Sequence, residues 1–450
     1  MRIRLSCELT LKEIALAVGG NEPPENTAVT HLVTDSRMAK RGDLFVALRG
    51  EKYDGNQFID IVNSIGAFTL GNGTEATIRI ESGEIGLLSL ANYYKRRLKK
   101  LRYTVGITGS VGKTTTKEFL AQMLSDVARV HKTPENMNNS IGLPLTVLSA
   151  PSDTEILILE MGMNHRGEIA ALSKCAEPDI AIITNIGTAH IGNLGSRRAI
   201  AEAKAEITEG LHGTLITPSA EPLLDGFRAY RFGINDTSAD LNLSVPAQGL
   251  SAKYSDGKIL ELTFFSRDTR NLLCLAPALC AMRLMNFNLE NIKDGVLKIS
   301  DENTRQKTIT LAGITMICDF YNASFESFSA AITALSELRA PAKKCVLIGD
   351  MLELGTYAEG DHKELGALAA RLGIDKIFAF GVWAEAVALG AVSAGFSKDS
   401  IFINGDISRP DITARQILDR CDATDTVLLK ASRGTRLERV TEAITYFTER

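Results

Sequence analysis

The chain has 450 residues, 45% hydrophobic and 23% charged, with 37 glycines and 12 prolines, a balance that excludes a disordered or fibrous chain. At about 150 residues per domain, the length points to three domains and excludes a single small module. The formal net charge is −4 and basic residues are dense only at 95–100, which speaks against nucleic acid as a partner and leaves small molecules.

Residues 1–80 are short strand-like pieces punctuated by glycine, with one helix expected from Thr10 to Val18. They read as a small domain of their own. A helix at about 84–100 then leads into a series of apolar runs separated by stretches of helical period: TVGIT (104–108), EILILEMG (155–162), DIAIITN (179–185) and GTLIT (213–217). That alternation predicts βαβ units around a parallel sheet. Residues 219–310 contain alternating polar and apolar stretches (LNLSV, KILELTFF) and an Ala/Leu-rich helix around 272–287, so a β extension of this domain is expected, ending near 305. A second α/β series follows in TMICD (315–319), CVLIGD (345–350), KIFAFG (376–381), SIFING (400–405) and TVLLKAS (426–432).

The cysteines at 7, 175, 274, 280, 318, 345 and 421 are widely spaced, without a CxxC pair or a Cys/His cluster. Spacing of that kind speaks against a disulfide framework and a structural zinc site and fits a reducing cytoplasm. No stretch approaches the roughly 18 apolar residues of a membrane span, and Glu8, Lys12 and Glu13 stand where a signal peptide needs an apolar core. The expectation is a cytoplasmic protein, without membrane insertion, acting as a monomer.

The sharpest local signal runs from Gly106 to Thr116, between a strand and a helix, and contains Gly109, Ser110, Gly112, Lys113, Thr114 and Thr115. Glycines let backbone N–H groups converge on one anion, the following helix adds its positive end, and Lys113 supplies a mobile cation for phosphates. Thr114 would hold Mg²⁺. The run is the shorter GxxGKT, because Ile107 stands where the longer phosphate-loop pattern begins with glycine. A nearby carboxylate is needed for the metal, and Glu160 ends the apolar run ILIL, where it emerges at the carboxyl edge of a strand. His190 follows the run DIAIITN and comes to the same edge. Asn136, Asn138 and Asn139 precede Ile-Gly-Leu-Pro, either orienting nucleotide and acyl group or serving as turn residues.

The segments TGSVGKTTTKEFL, TPENMNNSIGLPLTVL, LEMGMNHRGEI, TNIGTAHIGNLGS, EAKAEI, DFYNASFESF, IGDMLELG and KASRGTRLE occur in the order and spacing of the Mur ligases. The stretch TDSRMAKRGDLFVALRGEKYDGNQFI (34–59) resembles that family's nucleotide-sugar domain. The resemblance implies an α/β protein of three domains: a small nucleotide-sugar domain (1–82), a central P-loop ATPase domain with a parallel sheet (83–304) and a C-terminal Rossmann-like ligase domain (305–450). It implies ATP-dependent phosphorylation of a peptide carboxylate and displacement of phosphate by an amine in peptidoglycan precursor synthesis. ATP and Mg²⁺ are implied as cofactors, and UDP-muramoyl-tripeptide and D-alanyl-D-alanine as substrates.

By the same resemblance, Glu160 and His190 hold metal and Lys204 matches the family's carbamylated lysine. Asn136 and Asn138 face the nucleotide and acyl phosphate. Arg305 binds phosphate, Asp319 the ribose, and Tyr321 and Asn322 stand at the YNA motif. Asp350, Lys430 and Arg433 would meet the incoming dipeptide, and Asp35, Ser36 and Arg37 the nucleotide sugar. The sequence departs from the family in Arg270-Asn271-Leu272-Leu273-Cys274, where the usual His before Asn271 and a later adenine-contacting Asn are absent, and in Thr304, Cys318 and Asn56. Two further readings stay open, a Mur-like ligase for another carboxylate and amine and a non-catalytic nucleotide-binding paralogue. Retention of Lys113, Thr114, Glu160, His190 and Lys204 argues against the second.

Overall fold

The computed structural model describes residues 1–50, 53–246, 249–262, 269–288, 307–320, 322–338 and 342–449, with the side chains at 269–270 outside that description. The chain forms two compact units. One comprises Met1–Thr184, Glu202–Phe265 and Leu272–Lys298, the other Asn185–Ala201, Ser266–Asn271 and Ile299–Arg450.

The first unit contains two sheets. The N-terminal sheet has the order β1 (Arg2–Thr10), β2 (Ala28–Val33), β3 (Leu44–Val46), β4 (Phe68–Gly71), β5 (Ile78–Arg79). β1 and β2 are antiparallel and the others parallel. The expected early helix is Leu11–Val18, with Thr10 outside it as cap: its hydroxyl accepts from Glu13 N–H while the Glu13 carboxylate accepts from Thr10 N–H. A helix at Gly83–Lys95 joins the two sheets into one unit. Its buried Tyr94 hydroxyl accepts from Ser6 N–H (2.9 Å) and Cys7 N–H (3.1 Å) of β1, and its buried Lys95 donates to Ala176 O at 2.6 Å. The helix stops at Lys95 rather than near 100 because this buried lysine anchors its last turn and the chain leaves for the next sheet.

The second sheet is built from β6 (Tyr103–Thr108), β7 (Val130–Lys132), β8 (Ile156–Glu160), β9 (Ile180–Ile183), β10 (Thr214–Pro218), β11 (Tyr230–Ile234), β12 (Leu241–Ser244), β13 (Leu250–Tyr254) and β14 (Ile259–Leu262). Its order is β14-β13-β12-β11-β10-β9-β6-β8-β7. β7 through β12 and β6 run parallel, and β13 and β14 close one side antiparallel. The expected β extension is therefore a continuation of the parent sheet. Each apolar run of the sequence is a strand here, and β8 is buried along its whole length, as strands covered on both faces must be. β6 lies between β8 and β9, so the chain leaves it in both directions. The crevice outside such a reversal is where α/β sheets bind ligands.

The second unit carries the sheet β15 (Lys307–Leu311), β16 (Ile314–Asp319), β17 (Lys344–Gly349), β18 (Lys376–Phe380), β19 (Ile401–Asn404), β20 (Thr426–Lys430), ordered β15-β16-β20-β17-β18-β19. All neighbours are parallel except the β15–β16 hairpin. Its core gathers Met316, Leu347, Phe378, Val427, Leu429, Val440 and Ile444. The chain runs outward from β17 to β19 and returns to set β20 on the other side of β17, a second reversal point. The expected Rossmann-like pattern is present. No helix among the described residues is long and apolar enough to cross a membrane.

Candidate nucleotide and metal site

The loop after β6 is shaped by its glycines. Gly109 has φ 149°, and a Cβ there would fall 1.9 Å from the Thr184 hydroxyl oxygen, so no other residue fits. Thr184, just past β9, donates to Val111 O at 2.6 Å and clamps the loop from the neighbouring strand. Gly112 caps the helix Lys113–Leu124, whose first N–H groups open toward the loop. Ser110 is buried, while Lys113, Thr114 and Thr115 are half-buried at the first turn. The Lys113 ammonium folds over the loop and donates to Gly109 O at 2.7 Å, a position from which it can swing to phosphate oxygens.

Glu160, only 1% exposed at the end of β8, meets this loop. Its Oε2 accepts from the Thr114 hydroxyl at 2.7 Å and its Oε1 from the Asn138 carboxamide at 2.9 Å. Lys117, one helical turn after Lys113 and fully buried, lies 3.6 Å from Oε2 and donates to Thr133 O at 2.7 Å. The Thr133 hydroxyl in turn accepts from Glu160 N–H at 2.9 Å. A buried carboxylate paired with a lysine, beside a hydroxyl and next to a phosphate loop, offers the hard oxygen donors that Mg²⁺ takes. Lys117 and Thr133 were not singled out in the sequence. The one signal for Lys117 is the i, i+4 spacing of the two lysines in KTTTK, which puts both on one side of the helix, and Thr133 has none.

The three asparagines divide their work. Asn138 meets Glu160, whereas the Asn139 carboxamide oxygen accepts from Ile141 N–H and Gly142 N–H (2.8 Å) at the start of the helix Gly142–Leu148. Asn136 is exposed, and its carbonyl accepts from Asn138 N–H. Cys274 lies against the loop, since a Cβ on Gly112 would be 3.0 Å from its sulfur. The residue that departs from the family's adenine-contacting Asn thus borders the phosphate loop.

Lys204 lies in the last turn of the helix Arg197–Ala205 and is 2% exposed. Burial, and then the Lys113 cation, push its ammonium well below the usual lysine range. Both effects favour the neutral, nucleophilic amine over the ammonium.

In the second unit His190 has φ 65°, and its Nδ1 lies 2.5 Å from a Glu353 carboxylate oxygen. The same stretch is pinned by Thr188 N–H donating to Glu326 (2.7 Å) and Gly192 N–H donating to Glu353 O (3.0 Å). Asp319 and Lys430 end the adjacent strands β16 and β20 in register. The Lys430 ammonium, 2% exposed, donates to Asp319 Oδ2 at 2.8 Å and to Asn322 O at 3.0 Å. The Asn322 side chain accepts from Ala323 N–H. Asp350, just past β17, accepts from Val382 N–H (2.9 Å) and Trp383 N–H (3.1 Å), ahead of the helix Ala384–Ser393. Arg433 is exposed in the turn Arg433–Thr435. Asp350 and Lys430 thus flank the reversal point of their sheet. Arg305 and Tyr321 lie outside the described residues.

In the N-terminal sheet region, the Arg37 guanidinium binds both oxygens of Asp35 (2.9 and 2.6 Å) beside Ser36, and this pairing pulls the Asp35 carboxyl down to about 2. Asn56 accepts from Asn72 N–H at 2.9 Å and donates to Asp54 at 2.7 Å.

The chain matches the Mur ligase middle domain over residues 107–267 and the Mur ligase, glutamate ligase domain over 304–433. It is 37% identical to the UDP-N-acetylmuramoyl-tripeptide–D-alanyl-D-alanine ligase of Bacillus subtilis (strain 168), over 96% of this chain and 97% of that protein. The ligase of the same name from Escherichia coli (strain K12) is 28% identical over 97% and 98%. Among solved structures, MurF of Acinetobacter baumannii superposes with a TM-score of 0.85 at 27% identity, covering 99% of this chain and 100% of that one. MurF ligase of Thermotoga maritima in complex with ADP gives 0.77 at 32% identity, covering 93% and 97%.

Proposed function

The chain belongs to the Mur ligase family, and from that premise we propose that it joins D-alanyl-D-alanine to the terminal carboxylate of UDP-N-acetylmuramoyl-tripeptide, with ATP converted to ADP and phosphate. The observation that carries this reading is the convergence of Lys113, Thr114 and Glu160 at the phosphate loop, with buried Lys204 close enough for Lys113 to act on it.

A carboxylate and a triphosphate repel one another, so the first requirement is charge neutralisation. The loop N–H groups, the helix end at Lys113 and the Lys113 ammonium supply it on the protein side. The carboxylate oxygen then bonds to the γ-phosphorus as the bond to the β-phosphate oxygen breaks, giving acyl phosphate and ADP. The dipeptide amine adds to the acyl carbon, and inorganic phosphate leaves with the pair of electrons of the C–O bond. Thr114, Glu160 and His190 would hold Mg²⁺, which supplies Lewis-acid screening of the two anions. Nδ1 of His190 is taken up by Glu353, leaving Nε2 as its donor, and an orienting carboxylate of this kind is the usual companion of a ligating imidazole.

Lys204 completes the set. A neutral amine adds to carbon dioxide and loses a proton, forming a carbamate, and an anion beside Lys113 is favoured where a second cation is not. The carbamate would be a further oxygen donor. In the C-terminal unit we assign Asp319 to the ribose, held in place by Lys430, with Asp350, Lys430 and Arg433 toward the dipeptide. Asp35, Ser36 and Arg37 are assigned to the nucleotide sugar, Asn136 to the acyl phosphate, and Arg305, Tyr321 and Asn322 to ATP. Since ATP and a nucleotide-linked sugar are cytoplasmic substrates, we take the reaction to run in the cytoplasm and the acting species to be a monomer.

The test is phosphate release by the purified protein with ATP and Mg²⁺. Sustained turnover is expected only when UDP-muramoyl-tripeptide and D-alanyl-D-alanine are both present. Turnover that ignores the dipeptide, or that another amine supports better, would overturn the assignment.

A further inference from the structure

Cys345 and Cys421 are 76 positions apart, and no short motif joins them. The fold nevertheless sets their sulfurs 3.9 Å from each other, and the Asp425 carboxylate joins them so that the three donor atoms lie within 4.8 Å of one another. Cys345 is the second residue of β17 and has no exposure, Asp425 directly precedes β20 and is 2% exposed, and Cys421 caps the helix Pro410–Arg420 and is half-buried. The cluster sits at the amino ends of β17 and β20, the opposite end of the sheet from Asp350 and Lys430. It therefore belongs to no part of the ligase site.

We propose that Cys345, Cys421 and Asp425 form a binding site for a thiophilic divalent cation of the zinc class. Two thiolates on a tetrahedral zinc, each about 2.3 Å from the ion, stand roughly 3.8 Å apart, and the sulfurs here are already at 3.9 Å. The carboxylate is fixed from behind, as ligating groups usually are: Oδ1 accepts from Lys343 N–H (3.2 Å) and Oδ2 from Asp422 N–H (3.0 Å). The half-buried side at Cys421 gives the ion an entry path and leaves a fourth position for water. The local charge also suits a divalent ion. Two thiolates and a carboxylate carry three negative charges, and Lys376, 3.6 Å from Asp425, cancels one. A divalent cation neutralises the remainder. Binding would displace the thiol protons into solvent and tie the helix end at Cys421 to the start of β17.

Cobalt(II) titration of the full-length, reduced protein tests this. A sulfur-to-cobalt charge-transfer band is expected at one ion per chain, displaced by zinc and lost in Cys421→Ser and in Cys345→Ala. The band separates this site from any cation held by oxygen donors at the phosphate loop. Asp425→Asn should weaken binding by no less than the roughly tenfold that loss of an outer partner costs. Zinc should raise the thermal unfolding midpoint of the wild-type chain and leave that of Cys421→Ser unchanged. Cys421 is half-buried and its serine variant keeps the hydrogen-bonding character, so this variant reads out binding even where Cys345→Ala folds poorly. Absence of the band in the reduced wild-type protein, or its persistence in Cys421→Ser, would overturn the proposal. Facile oxidation of the pair to a disulfide by hydrogen peroxide with no cobalt band would overturn it equally.

Discussion

A lysine ammonium that is fully buried beside another cation is a poor way to stabilise a fold, and Lys204 is such a residue. Its folded-state pKa is depressed below the ordinary lysine value of 10.5, so between the two the unfolded chain holds a proton that the folded chain lacks. Stability should therefore rise with pH through that window and level off above 10.5. Lys204→Met should flatten this slope in denaturant melts run without bicarbonate, and an unchanged slope would show that Lys204 is not the source. For activity, Lys204→Ala should be inactive and short carboxylic acids diffusing into the cavity should restore part of the rate. Full activity without additive removes Lys204 from the mechanism. Lys113 differs because it is half-exposed and contributes to charge neutralisation more than to packing. Lys113→Ala should lower ATP turnover by about 10²- to 10³-fold, the scale for one preorganised donor, with the melting temperature nearly unmoved. Wild-type turnover would remove the loop from the chemistry. Thr114 and Glu160 could be read from the sequence because their places in a βα unit define their use. Lys117, Thr133 and Glu353 could not, because a second lysine in a helix or a glutamate in a loop looks like a solvated side chain until the partner strand is in place.

Elements position these groups, and their joints are where substitutions should act on stability. The helix Lys113–Leu124 is locked to β8 through the buried Lys117–Glu160 pair. Lys117→Met would leave Glu160 buried without its cation, at a cost of about 3–5 kcal/mol, measurable by urea denaturation. A loss below about 1 kcal/mol would mean that Thr114 and Asn138 suffice to hold the carboxylate. In the C-terminal sheet Gly381 has φ 119°, and a Cβ there would lie 2.4 Å from the Asp350 carboxylate, which accepts from Val382 N–H and Trp383 N–H ahead of the helix Ala384–Ser393. Gly381→Ala should destabilise that sheet by more than about 1 kcal/mol, and an unchanged melting profile would show that the turn relaxes. Strands such as β8 and β17 were legible as unbroken apolar runs because both their faces are covered. β7 was not, since its three half-buried residues Val130, His131 and Lys132 show neither an apolar run nor an alternation. The helix expected to reach residue 100 ends at Lys95 because tertiary bonds to Ala176 and Glu177, invisible in local sequence, set its boundary.

For the molecule as a whole, charge and composition point toward small-molecule partners, while the ordered motifs carry the family. The α/β class and both βαβ series were readable in the sequence, because each repeats a short apolar run and a helical stretch many times over. Contacts between distant positions were not readable, and the Cys345, Cys421 and Asp425 cluster shows why: widely spaced cysteines seemed to speak against a metal site until two strand ends and a helix end brought them together. The central claim is that the chain activates a carboxylate by phosphorylation before an amine attacks. It is tested most directly by labelling the terminal carboxylate of UDP-muramoyl-tripeptide with ¹⁸O and analysing the phosphate formed with ATP, Mg²⁺ and D-alanyl-D-alanine by mass spectrometry. One labelled oxygen per phosphate released is predicted, because the carboxylate oxygen bonded to phosphorus leaves with it. Unlabelled phosphate formed alongside the amide product would contradict the account.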